Sequence, residues 1–378
     1  MADGLPSMPR ISITGRSGET LWLSRLILGT DHLGQVPTPG QTLEVLDEAV
    51  RLGINAFDTA PIYDKDIERT FATWLSRKRR PDLHVITKGG FPRDLGPGTY
   101  ESRLKGTRER MVEEVREELE ISRAKYDRPI SIYLMHRDDV DFKDYVRVDR
   151  SQTPAQLILE ALASPVLRQH FRMLGLSNWT PERIIEARDA ARRNPELPEP
   201  VCSSPYFSLL EMKGTTLHSG GVQVTHRDMM NPNFLPGVRM MTYSTLGGFS
   251  IVTPGWDKAR QRALALKKRK DRYWSRVYDA LFHDENRKRY ERAISFAKRF
   301  NARHGTSYTL DQFMHAYVLA HPRTDFVVIG PKNVGALRRT VQSLELAKLL
   351  EAEDLLELYR GLRYDPPAEK HSVDRLAS

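Results

Sequence analysis

Residues 54–77 read INAFDTAPIYDKDIERTFATWLSR. A short, mostly apolar run (54–57) leads into a polar stretch, and an amphipathic helical pattern follows over 66–77. The run shows no clean alternation, which is how a strand buried on both faces reads. The unit is strand, loop, helix. Whether it stands alone or recurs decides the fold.

It recurs. Similar runs are RLILG (25–29), LHVIT (83–87), ISIYLM (130–135), FRMLGL (171–176), PVCSS (200–204), VRMMTY (238–243) and DFVVIG (325–330). Helical patterns lie between them at 42–53, 108–123, 153–164, 180–193, 284–305, 309–321 and 334–346, with a weaker one near 221–231. Gly53 is a good stop for the first. Thr-Pro at 153–154 and at 180–181 reads as a cap followed by proline in the first helical turn. Eight strand-then-helix units predict an α/β fold of the (β/α)8 TIM-barrel kind. A doubly wound sheet would carry a Gly-rich turn after its first strand, and LGTDHLGQ (28–35) is not one.

No hinge-like linker interrupts the pattern. A single barrel domain over 1–363 is expected, with segment 1–24 capping the barrel and a polar, partly ordered tail at 364–378. The irregular stretches 89–106, 138–152, 206–220 and 245–283 are expected to be long loops on the C-terminal face, where barrel enzymes build their substrate sites.

Composition narrows the class. Of 378 residues, 40% are hydrophobic and 28% charged, the balance of a soluble globular protein. The N-terminus lacks the pattern of a secretory signal, no apolar run is long enough to span a membrane, and the single cysteine, Cys202, allows no disulfide within the chain. A cytoplasmic location is the expectation. The formal charge of +9 favours anionic ligands. KKRKDR (267–272) reads as a solvated helix face, because no base-stacking aromatics interleave it, so neither nucleic acid nor membrane is an expected partner.

In a barrel, chemistry is sought where strands end. Asp58 follows the second strand with Tyr63 close behind, Lys88 follows the third, His136 the fourth, and Ser177 and Asn178 the fifth. Each has an ordinary reading alone: a turn acid, a loop aromatic, a solvated lysine, a core histidine. Together they suit proton exchange with a carbonyl or alcohol. A nearby ammonium favours phenolate, a carboxylate holds the ammonium, and a histidine can position a carbonyl oxygen or share the proton load. The set contains no acyl-transfer nucleophile and no metal cluster, so a hydride would come from a cofactor.

The elements FDTAPIY, VITKGG, YLMHRDD, GLSNWT, MMTYSTLGG and VVIGPKNVGALRR occur in the order found in the aldo-keto reductase superfamily, and the sequence resembles that family over roughly residues 20–350. The resemblance implies NADP(H) and no metal. Tyr63 would be the general acid, with Lys88 lowering its pKa, Asp58 pairing with Lys88 and His136 orienting the carbonyl. The cofactor would lie against Gly29, Thr30, Ser177, Asn178, Ser204, Tyr243, Ser244 and Leu246 at its nicotinamide and pyrophosphate end. Gly330, Lys332, Arg338, Arg339 and Thr340 would take the adenosine end. Ser204 replaces a common Gln, and Arg339–Thr340 replace a common Glu-Asn. Arg339 with Lys332 would favour a 2′-phosphate.

The expected substrate is a small carbonyl or alcohol of polar character, a sugar among the candidates, because Arg93, Arg103, Lys105, Arg137, Lys143 and Lys213 stand in the long loops. Two alternatives use the same residues: a sugar epimerase or dehydratase that uses its nicotinamide transiently, and a non-catalytic NADP-sensing subunit.

Overall fold

The computed structural model describes residues 5–31, 33, 38–63, 65–96, 98–126, 128–143, 147–150, 153–213, 220–248, 251–269 and 272–360. The tail 364–378 and parts of the long loops lie outside them. In chain order the elements are β1 (Arg10–Thr14), β2 (Thr20–Ser24), β3 (Leu26–Gly29), α1 (Pro39–Arg51), β4 (Ala56–Asp58), α2 (Lys65–Lys78) and β5 (His84–Gly89). Next come β6 (Arg93–Asp94), β7 (Tyr100–Glu101), α3 (Arg108–Lys125), β8 (Ile130–Met135), β9 (Val140–Lys143), β10 (Arg147–Arg150), α4 (Ala155–Leu162) and α5 (Pro165–Arg168). β11 (Phe171–Ser177), α6 (Pro181–Arg193), β12 (Pro200–Ser204), α7 (His226–Met230) and β13 (Arg239–Thr242) follow. The remainder is α8 (Trp256–Lys268), α9 (Arg272–Leu281), α10 (Asp284–His304), α11 (Leu310–Ala320), β14 (Phe326–Ile329), α12 (Val334–Leu349) and α13 (Ala352–Arg360).

Eight parallel strands close into a barrel in the order β3-β4-β5-β8-β11-β12-β13-β14, and β14 returns to β3. Side chains alternate across a strand, so each strand divides between two cores. Ile27, Ala56, Ile86, Ile132, Leu134, Met173, Cys202, Met241 and Phe326 fill the barrel interior. Their neighbours Leu28, Phe57, Val85, Tyr133, Leu174, Met240 and Val327 belong to the outer core under the helices. This two-sided burial is why the strands read as continuous apolar runs.

The hairpin β1–β2 supplies Ile13, Leu21 and Leu23 to the interior core. Asn55, just before β4, fixes it: its Oδ1 accepts from the Ser24 amide at 2.7 Å and its Nδ2 donates to the Trp22 carbonyl at 2.9 Å. The hairpin therefore lies at the N-terminal ends of the strands, away from the mouth. Each of its buried aliphatic side chains contributes roughly 1.5–3 kcal/mol.

Three expectations need correction. Among the described residues of 89–106 and 138–152, β6, β7, β9 and β10 join in an antiparallel sheet of order β10-β9-β7-β6, where irregular loops were expected. The stretch 245–283 holds two helices, α8 and α9. Trp256 opens α8 and packs its ring against Phe282 and Tyr290, with centroids 5.3 and 5.8 Å apart. Finally, Thr153 does not cap α4. Pro154 occupies the cap position, and the Ala155 amide donates instead to Glu186 Oε1 at 2.7 Å. Thr180 and Pro181 do open α6, without a side-chain cap bond.

The basic run begins in the last turn of α8, where cations oppose the negative end of the helix dipole. Lys267 pairs there with Asp279 at 2.5 Å, while Lys268 and Arg269 are exposed. Residues 270 and 271 lie outside the described residues.

Candidate active site

The chemistry-bearing residues continue the interior side of the strands. Asp58 is two residues beyond Ala56, Lys88 beyond Ile86, His136 beyond Leu134 and Tyr243 beyond Met241. The alternation that sends apolar side chains into the barrel therefore sends these to its C-terminal mouth. Asp58 and Lys88 lie within their strands rather than after them, so the sheet fixes their direction.

Tyr63 arrives by a turn. Its amide donates to the Ala60 carbonyl at 3.0 Å, closing a four-residue turn with Pro61 at the second position, where its fixed φ is favourable. The turn brings the Tyr63 hydroxyl to 3.0 Å from Lys88 Nζ. The same ammonium donates to Asp58 Oδ1 at 2.5 Å and to the Thr59 carbonyl at 3.1 Å. Asp58 is 3% exposed and Lys88 4%.

Two glycines after Lys88 admit close neighbours. A Cβ on Gly89 would collide with the Tyr133 hydroxyl, and one on Gly90, whose φ is +71°, with the Met135 methyl. The peptide between them is held from both sides. The His136 amide donates to the Gly89 carbonyl at 2.7 Å, and the Gly90 amide donates to Glu118 Oε2 at 2.5 Å. The His136 ring meets the Tyr63 ring edge-on at 6.3 Å and lies 5.1 Å from Phe91.

Burial governs the protonation of this group. It pushes the Asp58 carboxyl up and the Lys88 ammonium down, and each partner's charge opposes the shift. Burial drives His136 well below the usual imidazole range, aided by Arg137 and Lys88. The ring is therefore neutral at neutral pH and suited to orient a carbonyl rather than share a proton. The Tyr63 phenol is pushed well above its ordinary value, by burial first and then by Asp58 and Asp31. Lys88 Nζ, 3.0 Å from the hydroxyl, does not outweigh these causes. Asp58 matches Lys88 in charge, so the pair brings little net attraction for a phenolate, and desolvation wins.

The remaining sequence candidates separate. Asn178 adopts φ +61°, a region asparagine tolerates, and links three strand exits. Its Nδ2 donates to the His136 carbonyl at 3.2 Å and Ser177 Oγ at 2.9 Å. Its Oδ1 accepts from the Tyr243 hydroxyl at 2.6 Å and the Val222 amide at 3.2 Å. The Ser204 carbonyl accepts from Ser177 Oγ and the Asn178 amide, both at 3.2 Å. Ser244, at φ +60°, turns the chain after β13, and Leu246 is half-buried beyond it. Gly29 is a packing residue: a Cβ there would lie 3.0 Å from Val328 Cγ1. Thr30 is buried, and its amide donates to the Asp58 carbonyl at 2.9 Å.

On the last unit, Gly330 and exposed Lys332 precede α12, whose cap Asn333 accepts from the Ala336 amide. Arg339 reaches Asp311 at 3.2 Å and keeps an exposed side chain. Arg338 pairs with Glu48 at 2.7 Å and braces α12 on α1. Thr340 is buried, its hydroxyl donating to the Ala336 carbonyl at 3.0 Å. Both positions therefore make scaffold contacts.

Sequence reasoning missed Asp31, whose charge acts on Asp58, Tyr63 and Lys88. Its place two residues past the first strand was the available signal. It also missed Glu118, a helix residue with no local mark of its role. Among the described residues no group of three or more His, Cys, Asp or Glu side chains is placed to hold a metal ion, and no helix is long and apolar enough to cross a membrane.

Glu118 makes a pH prediction. Burial pushes its carboxyl from an ordinary 4.5 up to about 7. Between those values the folded protein holds a proton that the unfolded chain has released, so stability falls as pH rises through that window. Glu118→Gln keeps an acceptor for the Gly90 amide without the charge. Urea unfolding at pH 5 and pH 8 should show the variant gaining on the parent by about 3 kcal/mol at the higher pH. A gap that does not change with pH would refute the assignment.

Fold and site together define a (β/α)8-barrel enzyme with its chemistry at the C-terminal mouth. The chain belongs to the aldo/keto reductase family, whose sequence model matches residues 25–358. A curated relative, the "Uncharacterized oxidoreductase YrpG" of Bacillus subtilis (strain 168), is 25% identical over 347 residues, covering 88% of this chain and 90% of its own. The protein is accordingly an oxidoreductase.

Proposed function

We propose that the protein is an NADP(H)-dependent oxidoreductase that interconverts a carbonyl and an alcohol on a polar, sugar-like substrate, with Tyr63 as general acid and base. The observation that carries this reading is Lys88 Nζ lying between Asp58 Oδ1 at 2.5 Å and the Tyr63 hydroxyl at 3.0 Å.

In reduction the Tyr63 hydroxyl gives its proton to the carbonyl oxygen. Lys88 is already in hydrogen-bond contact with the oxygen that becomes negative, so it acts as charge develops, where stabilisation accelerates the step. Asp58 keeps Lys88 charged and aimed. Neutral His136 hydrogen-bonds the carbonyl and fixes its direction. The oxidised direction reverses the proton transfer.

The donor set fits a nicotinamide dinucleotide. Exposed Lys332 and Arg339 flank the N-terminus of α12, an anion-favouring place, and two cations there suit a 2′-phosphate. Tyr243, Ser244 and Leu246 line the exit of β13, and Asn178 with Ser177 lies beside Tyr243. The existing bonds of Asn178 would have to be exchanged for a carboxamide to take its place. The cofactor, when bound, would supply the hydride.

The test follows absorbance of reduced cofactor with aldehydes, ketones and oxidised sugars. Oxidation of NADPH faster than NADH, best with sugar-like carbonyls, is the expected result. No oxidation by any carbonyl would overturn the reading. A preference for NADH would overturn the roles of Lys332 and Arg339, and a purely apolar substrate range the polar assignment.

A further inference from the structure

The Gly89–Gly90 peptide joins two residues of the site. Lys88 precedes it in the chain, and its carbonyl accepts the His136 amide at 2.7 Å. Glycines on both sides leave this peptide without the Cβ atoms that restrict torsions elsewhere, so its plane needs an anchor.

Glu118 is that anchor. Its Oε2 accepts from the Gly90 amide at 2.5 Å, and its side chain is 13% exposed. It projects from α3, which Met111, Val115 and Leu119 fix in the outer core, so the scaffold rather than the loop sets its place. Arg103 Nε lies 3.7 Å from Glu118 Oε1 and donates to the Phe91 carbonyl at 2.9 Å. Gly90 and Phe91 are thus held by neighbouring side chains. The other groups facing Glu118 are Glu114 and Glu117 on α3 and Tyr133 on β8, whose hydroxyl is buried without a hydrogen-bond partner among the described residues.

Building on the reading of Lys88 and His136 as parts of the site, we propose that Glu118 is a positioning residue: through the Gly89–Gly90 peptide it sets where Lys88 Nζ and the His136 ring stand relative to each other, and so to the substrate carbonyl. The carboxylate makes the firmer hold, because an N–H bond to an ionised acceptor is roughly twice as strong as a neutral one. The Glu118 carboxyl is pushed up to about 7, so the hold is full above that pH and weaker below it. The charge that costs the fold stability there steadies the site, a trade of stability for activity.

Glu118→Leu fills the space without an acceptor, and Glu118→Gln restores an acceptor without the charge. With NADPH and glyceraldehyde at pH 8, Glu118→Leu should lower kcat by about 10²-fold with KM little changed, the cost of a displaced catalytic group. Glu118→Gln should recover much of that loss, and the parent's advantage over it should shrink from pH 8 to pH 5. A second readout needs no turnover: the amide shifts of Gly90 and His136 in ¹⁵N-labelled protein. In the parent both should move together through one titration, and in Glu118→Gln neither should. Movement of Gly90 without His136, a titration that survives Glu118→Gln, or a Glu118→Leu variant with the parent's kcat overturns the proposal. A parent that shows the joint titration and reduces no carbonyl supports the hold of Glu118 on the peptide and counts against the carbonyl-reductase reading instead.

Discussion

Tyr63→Phe is expected to lower kcat for carbonyl reduction by about 10²–10⁴-fold, the range of a positioned general acid, with NADPH affinity unchanged. The substitution is clean for structural reasons. Lys88 keeps its contacts with Asp58 Oδ1 and the Thr59 carbonyl, so no buried charge is orphaned. The ring that meets His136 edge-on is retained. Only the hydroxyl is lost, at a stability cost of about 1 kcal/mol for one hydrogen bond. A loss confined to kcat marks proton transfer, whereas a rise in KM with kcat intact would mark substrate binding. Steady-state kinetics with NADPH, paired with quenching of protein fluorescence by the cofactor, separates them. An unchanged kcat removes Tyr63 from the role.

What the sequence disclosed follows from burial. Strands packed on both faces produce short apolar runs, so eight could be counted. Interior alternation then places Asp58, Lys88 and His136 on one rim, and this too is readable once Ala56, Ile86 and Leu134 are taken as inward-facing. The sheet β10-β9-β7-β6 was not readable. β6 and β7 have two residues each, Arg93–Asp94 and Tyr100–Glu101, and form by pairing with each other and, through Tyr100, with Phe142 of β9 rather than by any pattern of their own. The helix α8 buries alanines, Ala259 and Ala263, behind one Trp256, too faint a stripe to stand out.

Within the site, residue types were legible and their electrostatics were not. A lysine beside a tyrosine suggests a lowered phenol pKa. The outcome depends on Asp58 matching Lys88 and on desolvation of the whole group, which only the folded chain sets. Likewise nothing local to Arg338 says that Glu48, 290 residues away, will take it.

Lys88→Met is expected to destabilise the protein by about 3–5 kcal/mol, because it leaves the Asp58 carboxylate buried without its cation. The ion pair itself explains little net stability, since burial pushes each partner towards its neutral form and their attraction chiefly offsets that. Removing both charges should therefore cost less than removing one. Asp58→Asn combined with Lys88→Met should recover much of the loss, and a double-mutant cycle by urea unfolding at neutral pH measures the coupling. Acid should help the single variant. Without Lys88, the Asp58 carboxyl rises further, so the folded state takes up a proton that the unfolded chain releases at lower pH, and stability lost at neutral pH returns as pH falls through that window. If Lys88→Met and the double variant were equally stable at every pH, Lys88 would matter for its packing and not for its charge. The pair would then have no claim to be the device that holds Tyr63 ready, whatever the distances between them.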